Sequence, residues 1–477
     1  MQGSRSQTSQ RHRKERGRGS RRRSWAAGKG EFLLAAAYFV VVSLFGGGQV
    51  AWTPGNMALV LATVVLAAAF AWQGGFAAFS RAPLAGRIAL AGIAVWPLLQ
   101  LVPLPFRLWQ ALPGQELRRL TLDLAGLADS WQPLTLEPAG TALCALMAIG
   151  FVAFTGWLMQ LSGDDFHRLF LVALGLVLLG ILIGLLQVVS DGQFPQLQVD
   201  NMGATLLGFF ANKNHMALVL ACSILLFGFV VSRQFGARGQ PAAMQIRRRL
   251  MVTGYTVFAL VAIVVTNSRA GLGLGALAAV IVLLDLARGV VLRWRIAAVA
   301  VVAALVLAVM SSSAFEVVAG RVDDVSDDLR WRFLDWSWPL AERYAWLGSG
   351  FGSFRTLFIT QEQLAWVKPT VVNAVHNDYL QLLIEGGVPA MVLLVLLVLS
   401  LVPGIAALRR LSRRAPERHA LLAGLFIIVL YALHSLVDYP LRRPAAWIFF
   451  ALALAAVYRG AAAGHGDAAG SPQIEAA

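Results

Sequence analysis

Twelve apolar runs leave this 477-residue chain little choice of architecture. They lie near residues 32–49, 56–73, 88–105, 139–161, 169–188, 214–232, 250–267, 271–287, 296–312, 389–407, 419–437 and 444–459. A spanning helix needs roughly 20 predominantly apolar residues. Inside lipid, each backbone N–H and C=O must also find a partner within the protein, which restricts such runs to helices. A soluble chain of this length would divide into about three domains, but 58% hydrophobic residues and a mean hydropathy of +0.67 argue for one bundle in lipid. The expected fold is an all-α polytopic membrane protein with about twelve transmembrane helices, occupying residues 31–460.

The formal charge of +15 would suit nucleic acid, but its distribution has another cause. With the N-terminus inside, 27 of the 40 Lys and Arg fall in the inner segments, ten of them in residues 1–30. Basic residues flanking spans stay on the cytoplasmic side, so both termini are expected in the cytoplasm, with no nucleic-acid partner. Residues 1–30 and 461–477 read as disordered tails. The first is a solvated basic arm that favours anionic membrane lipid; Arg21-Arg22-Arg23 resembles a twin-arginine signal only loosely, and no cleavage site follows. Cys144 and Cys222 both fall inside spans, so neither a disulfide framework nor a cysteine metal site is supported.

This topology puts three long loops outside: 106–138, 189–213 and a principal loop over 313–388. The last is expected to hold a helix starting after Ser326 or Asp327, with its acidic residues at the positive helix end. Leu329, Phe333 and Trp336 recur at helical spacing, which predicts an amphipathic helix on the membrane surface. Pro339 should bend or end it, and Gly348-Ser349-Gly350-Phe351-Gly352 reads as a flexible turn. Trp331, Trp336, Trp338 and Trp346 suit the headgroup region.

Polar residues that are costly near lipid mark candidate chemistry. His376, Asn377, Asp378, Tyr379, Gln381 and Glu385 gather at the end of the principal loop. If a helix begins near Asn377, then Asn377, Gln381 and Glu385 share one face. A histidine with an ordinary pKa of about 6.5 can take a proton from an attacking hydroxyl, and Glu385 could orient that imidazole or a sugar hydroxyl if the helix packs back toward it. Arg269 follows Thr266-Asn267-Ser268 at an outer junction. An arginine at the bilayer centre costs about 2.5–3.5 kcal/mol on insertion scales, so a phosphate, a carboxylate or the headgroups should meet it. Gly271, Gly273 and Gly275 after it allow close helix packing. Arg330 and Arg332 point to different faces of the loop helix, and Asn212 or Asn214 either caps the sixth span or faces a ligand.

Three blocks together resemble the O-antigen ligase and O-antigen polymerase family of lipid-linked glycan transferases. They are Gly208 to His215, Asn267-Ser268-Arg269-Ala270-Gly271, and the run from Arg330 through Trp346-Leu347-Gly348-Ser349-Gly350-Phe351-Gly352 to His376 and Gly387, within about 205–440. The resemblance implies a bacterial inner-membrane enzyme, working on the periplasmic side on an undecaprenyl-diphosphate-linked glycan. Arg269 with Arg330 or Arg332 would hold the diphosphate, and His376 would activate or position the acceptor hydroxyl of lipid A-core or a growing polysaccharide. Asn377, Tyr379, Glu385, Asn212 and Asn214 would line the substrate. Inverting transfer is implied, with arginines rather than a metal stabilising the leaving charge and with no cofactor. Ligation, polymerisation and protein O-oligosaccharyl transfer share this chemistry. A polysaccharide or lipid transporter is the alternative class, but it would favour ionisable pairs within the spans, whose interiors here are almost free of charge.

Overall fold

The computed structural model describes residues 29–48, 54–195, 205–235, 241–287, 326–367, 371–413 and 415–469, with isolated positions between 291 and 304. The described residues are almost entirely helical. Helix α1 covers 29–45, followed by α2 (Pro54–Trp72), α3 (Leu84–Gln100), α4 (Phe106–Trp109), α5 (Glu116–Leu124), α6 (Pro138–Gln160), α7 (Gly163–Val189), α8 (Lys213–Phe235), α9 (Ala242–Val265) and α10 (Arg269–Leu286). After the principal loop's helix α11 (Ser326–Tyr344) come α12 (Phe354–Phe358), α13 (Asp378–Leu399), α14 (Val402–Arg410), α15 (Pro416–His434) and α16 (Pro444–Ala469). The two short strands, β1 (Pro103–Leu104) and β2 (Gln132–Pro133), pair antiparallel and close the 106–138 loop on itself.

Among the described residues, nine helices are long and apolar enough to cross a membrane, and α3 is a shorter apolar helix. These ten, with α1, account for eleven of the twelve runs. The twelfth, 296–312, lies outside the described residues apart from isolated positions, as do residues 1–28 and 470–477.

Helices α8 and α16 form the centre, with 89% of each span buried within the protein. A helix that is apolar all round belongs in such a place. Helix α16 packs against α15, α6 and α14, and α8 packs against α15, α9, α10 and α7. Lipid tails are as apolar as leucine, so contact between spans depends on close packing rather than on water exclusion. Small residues provide it: a methyl group on Gly271 would sit 2.2 Å from Ala217 Cβ, and one on Gly275 would sit 2.6 Å from Ile263 Cδ1, whereas Gly273 faces open space. Cys144 and Cys222 are free thiols within α6 and α8.

The principal loop differs from the expected surface helix. Helix α11 runs through Pro339 to Tyr344 rather than ending there. Its apolar stripe turns inward: Leu340, Ala341 and Tyr344 join Phe354, Phe358, Val375 and Ile384 in a second core, with Phe333 and Trp336 packed on it. That core covers the start of α13, so the stripe is satisfied by protein instead of lipid. Trp331, Trp338 and Trp346 remain exposed, as expected of interface residues, while Trp336 packs beside Phe358 with ring centres 6.3 Å apart.

Candidate active site

Helix α13 is broken at Gly387, whose φ of 64° and ψ of −166° are not helical. A break frees backbone groups that lipid cannot satisfy, and here the 348–352 turn and α3 take them up. Ser349 N–H donates to Ile384 O at 2.9 Å and Gly350 N–H to Glu385 O at 3.0 Å. Gln100 Nε2 also donates to Glu385 O at 2.9 Å, and Trp96 Nε1 to Gly386 O at 2.7 Å. The approach is backbone to backbone: a methyl group on Gly348 would lie 2.2 Å from Glu385 O, and one on Gly387 would lie 2.5 Å from Gly348 N. Both residues have positive φ, which glycine adopts without the Cβ penalty. The Gly348–Gly352 turn is therefore a structural clasp on the broken helix.

The first half of α13 is held from its cap. Asn377 Oδ1 accepts from Leu380 N–H at 2.9 Å, and its Nδ2 donates to Leu436 O at 3.0 Å. Asp378, in the favourable first turn, accepts from Ser435 Oγ at 2.9 Å and Leu441 N–H at 3.2 Å. Tyr379 donates its hydroxyl to Ala432 O at 2.8 Å, and Gln381 Oε1 accepts from Val375 N–H at 3.1 Å. The bonds to Ala432, Ser435, Leu436 and Leu441 fasten the 375–381 stretch to the end of α15 and the segment that follows it. Glu385 is 1% exposed and points into that same seam, accepting from Phe354 N–H at 3.0 Å and from Arg442 Nη1 at 2.5 Å. Arg442 Nε also lies 3.5 Å from Asp378 Oδ1.

The carboxylate beside the imidazole is thus Asp438 rather than Glu385. His376 Nδ1 lies 3.5 Å from Asp438 Oδ1, with the His376 side chain 22% exposed and Asp438 fully enclosed. Phe333 of α11 stacks on the ring at 6.4 Å, and Tyr439 meets it edge-on at 5.0 Å. His376 has φ of 60°, a left-handed conformation that costs a non-glycine residue about 1–3 kcal/mol and persists where surroundings enforce it. Asn267, beside Arg269, is held the same way with φ of 59°.

Asp438 is met by the N-terminus of α8. Asn214 Nδ2 donates to its Oδ2 at 2.6 Å, Asn212 Nδ2 reaches both oxygens at 3.3 Å, and His215 Nε2 lies 3.5 Å from Oδ1. Tyr439 N–H adds a bond of 2.9 Å. A helix N-terminus favours negative charge, and Asn212 also caps α8 by accepting from Asn214 N–H at 2.8 Å. Burial pushes the Asp438 carboxyl up, but His215 and His376 outweigh it and hold the group well below the usual carboxylate range.

The chain of contacts continues from Asn214, whose Oδ1 accepts from Ser268 Oγ at 2.7 Å. Ser268 caps α10 through Gly271 N–H, and Arg269, the next residue, is exposed at that helix start. Arg332 is half-buried beside Phe333, whereas the side chain of Arg330 lies outside the described residues. His376, Asn212 and Asn214 therefore converge on one carboxylate, and Asn377 and Tyr379 brace it by fixing backbone. Sequence reasoning placed Asp378 in the polar cluster but gave no site role to Asp438, His215 or Arg442. The signal for Asp438 was the polar interruption His434-Ser435 and Asp438-Tyr439 in a run otherwise rich in apolar residues. Among the described residues, no group of three or more His, Cys, Asp or Glu side chains is arranged to hold a metal ion.

The fold and this site define a class: a multi-pass, almost wholly helical membrane protein that pairs a partly exposed histidine with an enclosed carboxylate at the ends of its spans. Residues 254–395 match the family described as O-Antigen ligase, the family that the three sequence blocks resemble. The matched stretch contains Arg269 and His376, while His215 and Asp438 lie outside it. No curated protein matches the chain.

Proposed function

We propose that this protein transfers a glycan from an undecaprenyl-diphosphate carrier to an acceptor hydroxyl, on the periplasmic side of a bacterial inner membrane with both termini in the cytoplasm. The observation that carries this reading is the His376–Asp438 pair. His376 Nδ1 faces the charged carboxylate at 3.5 Å; with the proton on that nitrogen Nε2 is the basic one, and the carboxylate stabilises the imidazolium that forms. His376 Nε2 then takes the acceptor's hydroxyl proton as the acceptor oxygen bonds to the anomeric carbon. The bond from that carbon to the diphosphate breaks, with inversion, and the carrier diphosphate leaves with the electron pair.

Arg269 and Arg330 or Arg332 supply the fixed positive charge for the diphosphate, since a guanidinium binds phosphate through two parallel bonds and stays protonated. Asn377 and Tyr379 sit beside His376 where an acceptor would enter. The acceptor is lipid A-core in ligation or a growing polysaccharide in polymerisation.

A deletion strain examined for surface glycan tests the reading. Loss of long chains from lipid A-core supports ligation, and single-repeat caps support polymerisation. An unchanged glycan pattern with altered solute uptake counts against both and supports a transporter.

A further inference from the structure

Asp438 Oδ1 serves two imidazoles at once, and only one of them reaches the surface. His215 is fully buried. Its ring is edge-on to Phe210, Tyr439 and His434 at 6.5, 5.1 and 6.1 Å. Packing alone would be met by a phenyl ring, yet the polar edge of this ring points at the carboxylate, 3.5 Å from it. Both ring nitrogens are buried without a close hydrogen-bond partner, so the Asp438 carboxylate, 3.5 Å from Nε2, is the polar group this nitrogen faces. A neutral imidazole has one donor and one acceptor nitrogen, and the tautomer with its proton on Nε2 directs that N–H at the carboxylate.

We propose that His215 is a positioning residue that acts through Asp438 and sets how tightly His376 holds a proton. The charge of one carboxylate is shared between two donors. Withdrawing the His215 donor leaves more of it for His376, which stabilises the imidazolium and leaves less of the ring as free base at neutral pH. The other polar and charged groups around the pair do not duplicate this contact. Asn212 and Asn214 bind Asp438 as neutral amides, Arg443 lies over the Tyr439 ring at 5.2 Å, His434 faces His215, and Asp378 is engaged by Ser435 and Arg442. The inference rests on His376 being the base, so its test reads the imidazole directly and does not need turnover.

The full-length protein, labelled with ¹³C-histidine and held in detergent micelles, contains 7 histidines. The His376 signal is assigned by its loss in His376→Gln. His215→Phe and His215→Asn should raise the His376 titration midpoint by about one pH unit, the scale of one lost charged hydrogen bond. His215→Gln, which restores an N–H near the original Nε2, should titrate within a few tenths of the wild type. The asparagine variant makes the measurement where a phenyl ring does not fold. An unshifted midpoint in these variants, or an equal shift in His215→Gln, overturns the proposal. Retention of glycan transfer by His376→Gln would instead overturn the reading of His376 as base, leaving the measured coupling intact.

Discussion

His376 and Asp438 meet at 3.5 Å, although one precedes α13 and the other follows α15. The contact exists because the 435–443 segment is bonded along the start of α13, and because α8 brings three side chains to the far side of the carboxylate. Asp438→Asn keeps the shape and removes the charge. We expect glycan transfer to fall by about 10²-fold, the lower end of what a positioned acid–base group contributes. Steady-state kinetics in proteoliposomes should show the loss in kcat with little change in KM for the lipid-linked donor. A rise in KM alone would assign Asp438 to binding.

The same carboxylate gives an acid dependence of stability. Its folded pKa is depressed, so its contribution is complete above the unfolded value of about 3.9 and is lost as pH falls through the folded value. Thermal unfolding in detergent should therefore show the wild type losing stability below about pH 4 more steeply than Asp438→Asn. Parallel curves would mean that Asp438 titrates normally.

Arg442 and Glu385 form the ionic seam between α13 and the 435–443 segment. Removing one partner leaves an uncompensated buried charge, which costs about 3–5 kcal/mol. Glu385→Gln and Arg442→Met should each lower the detergent Tm markedly, and the double variant should lose less than the two losses added together. Additive losses would show that the two side chains stabilise independently.

Gly348 is the closest point of the clasp on α13. Gly348→Ala adds a methyl group 2.2 Å from Glu385 O and forces a left-handed conformation worth roughly 1–2 kcal/mol against any other residue. Limited proteolysis should then cut the 345–375 region faster than in the wild type. Gly126→Ala, which also has positive φ but open space around its Cβ, separates backbone strain from lost contact.

The spans are legible in the sequence because lipid imposes one length and one polarity on each, and nine of the expected runs correspond to long apolar helices. His376 is legible because its polar neighbours are contiguous and stand out against apolar flanks. Asp438 is not, since the run near 419–437 reads as an unbroken span, whereas α15 ends at His434 and the next residues form a buried polar turn. Glu385 shares helical spacing with Asn377 and Gln381, but spacing along one helix does not reveal that Arg442 waits on a distant segment. Pro339 illustrates the same limit, because the core under α11 carries the helix past a residue that locally disfavours it.

The central claim is that His376, held by Asp438, is the base for glycan transfer. The most direct measurement is transfer of a labelled glycan from a polyprenyl-diphosphate donor to its acceptor by purified protein in proteoliposomes, comparing wild type with His376→Ala and with Arg269→Ala. The account predicts that both variants insert and fold but lose transfer, with His376→Ala still binding the lipid-linked donor and Arg269→Ala binding it more weakly. Wild-type transfer by folded His376→Ala would contradict it.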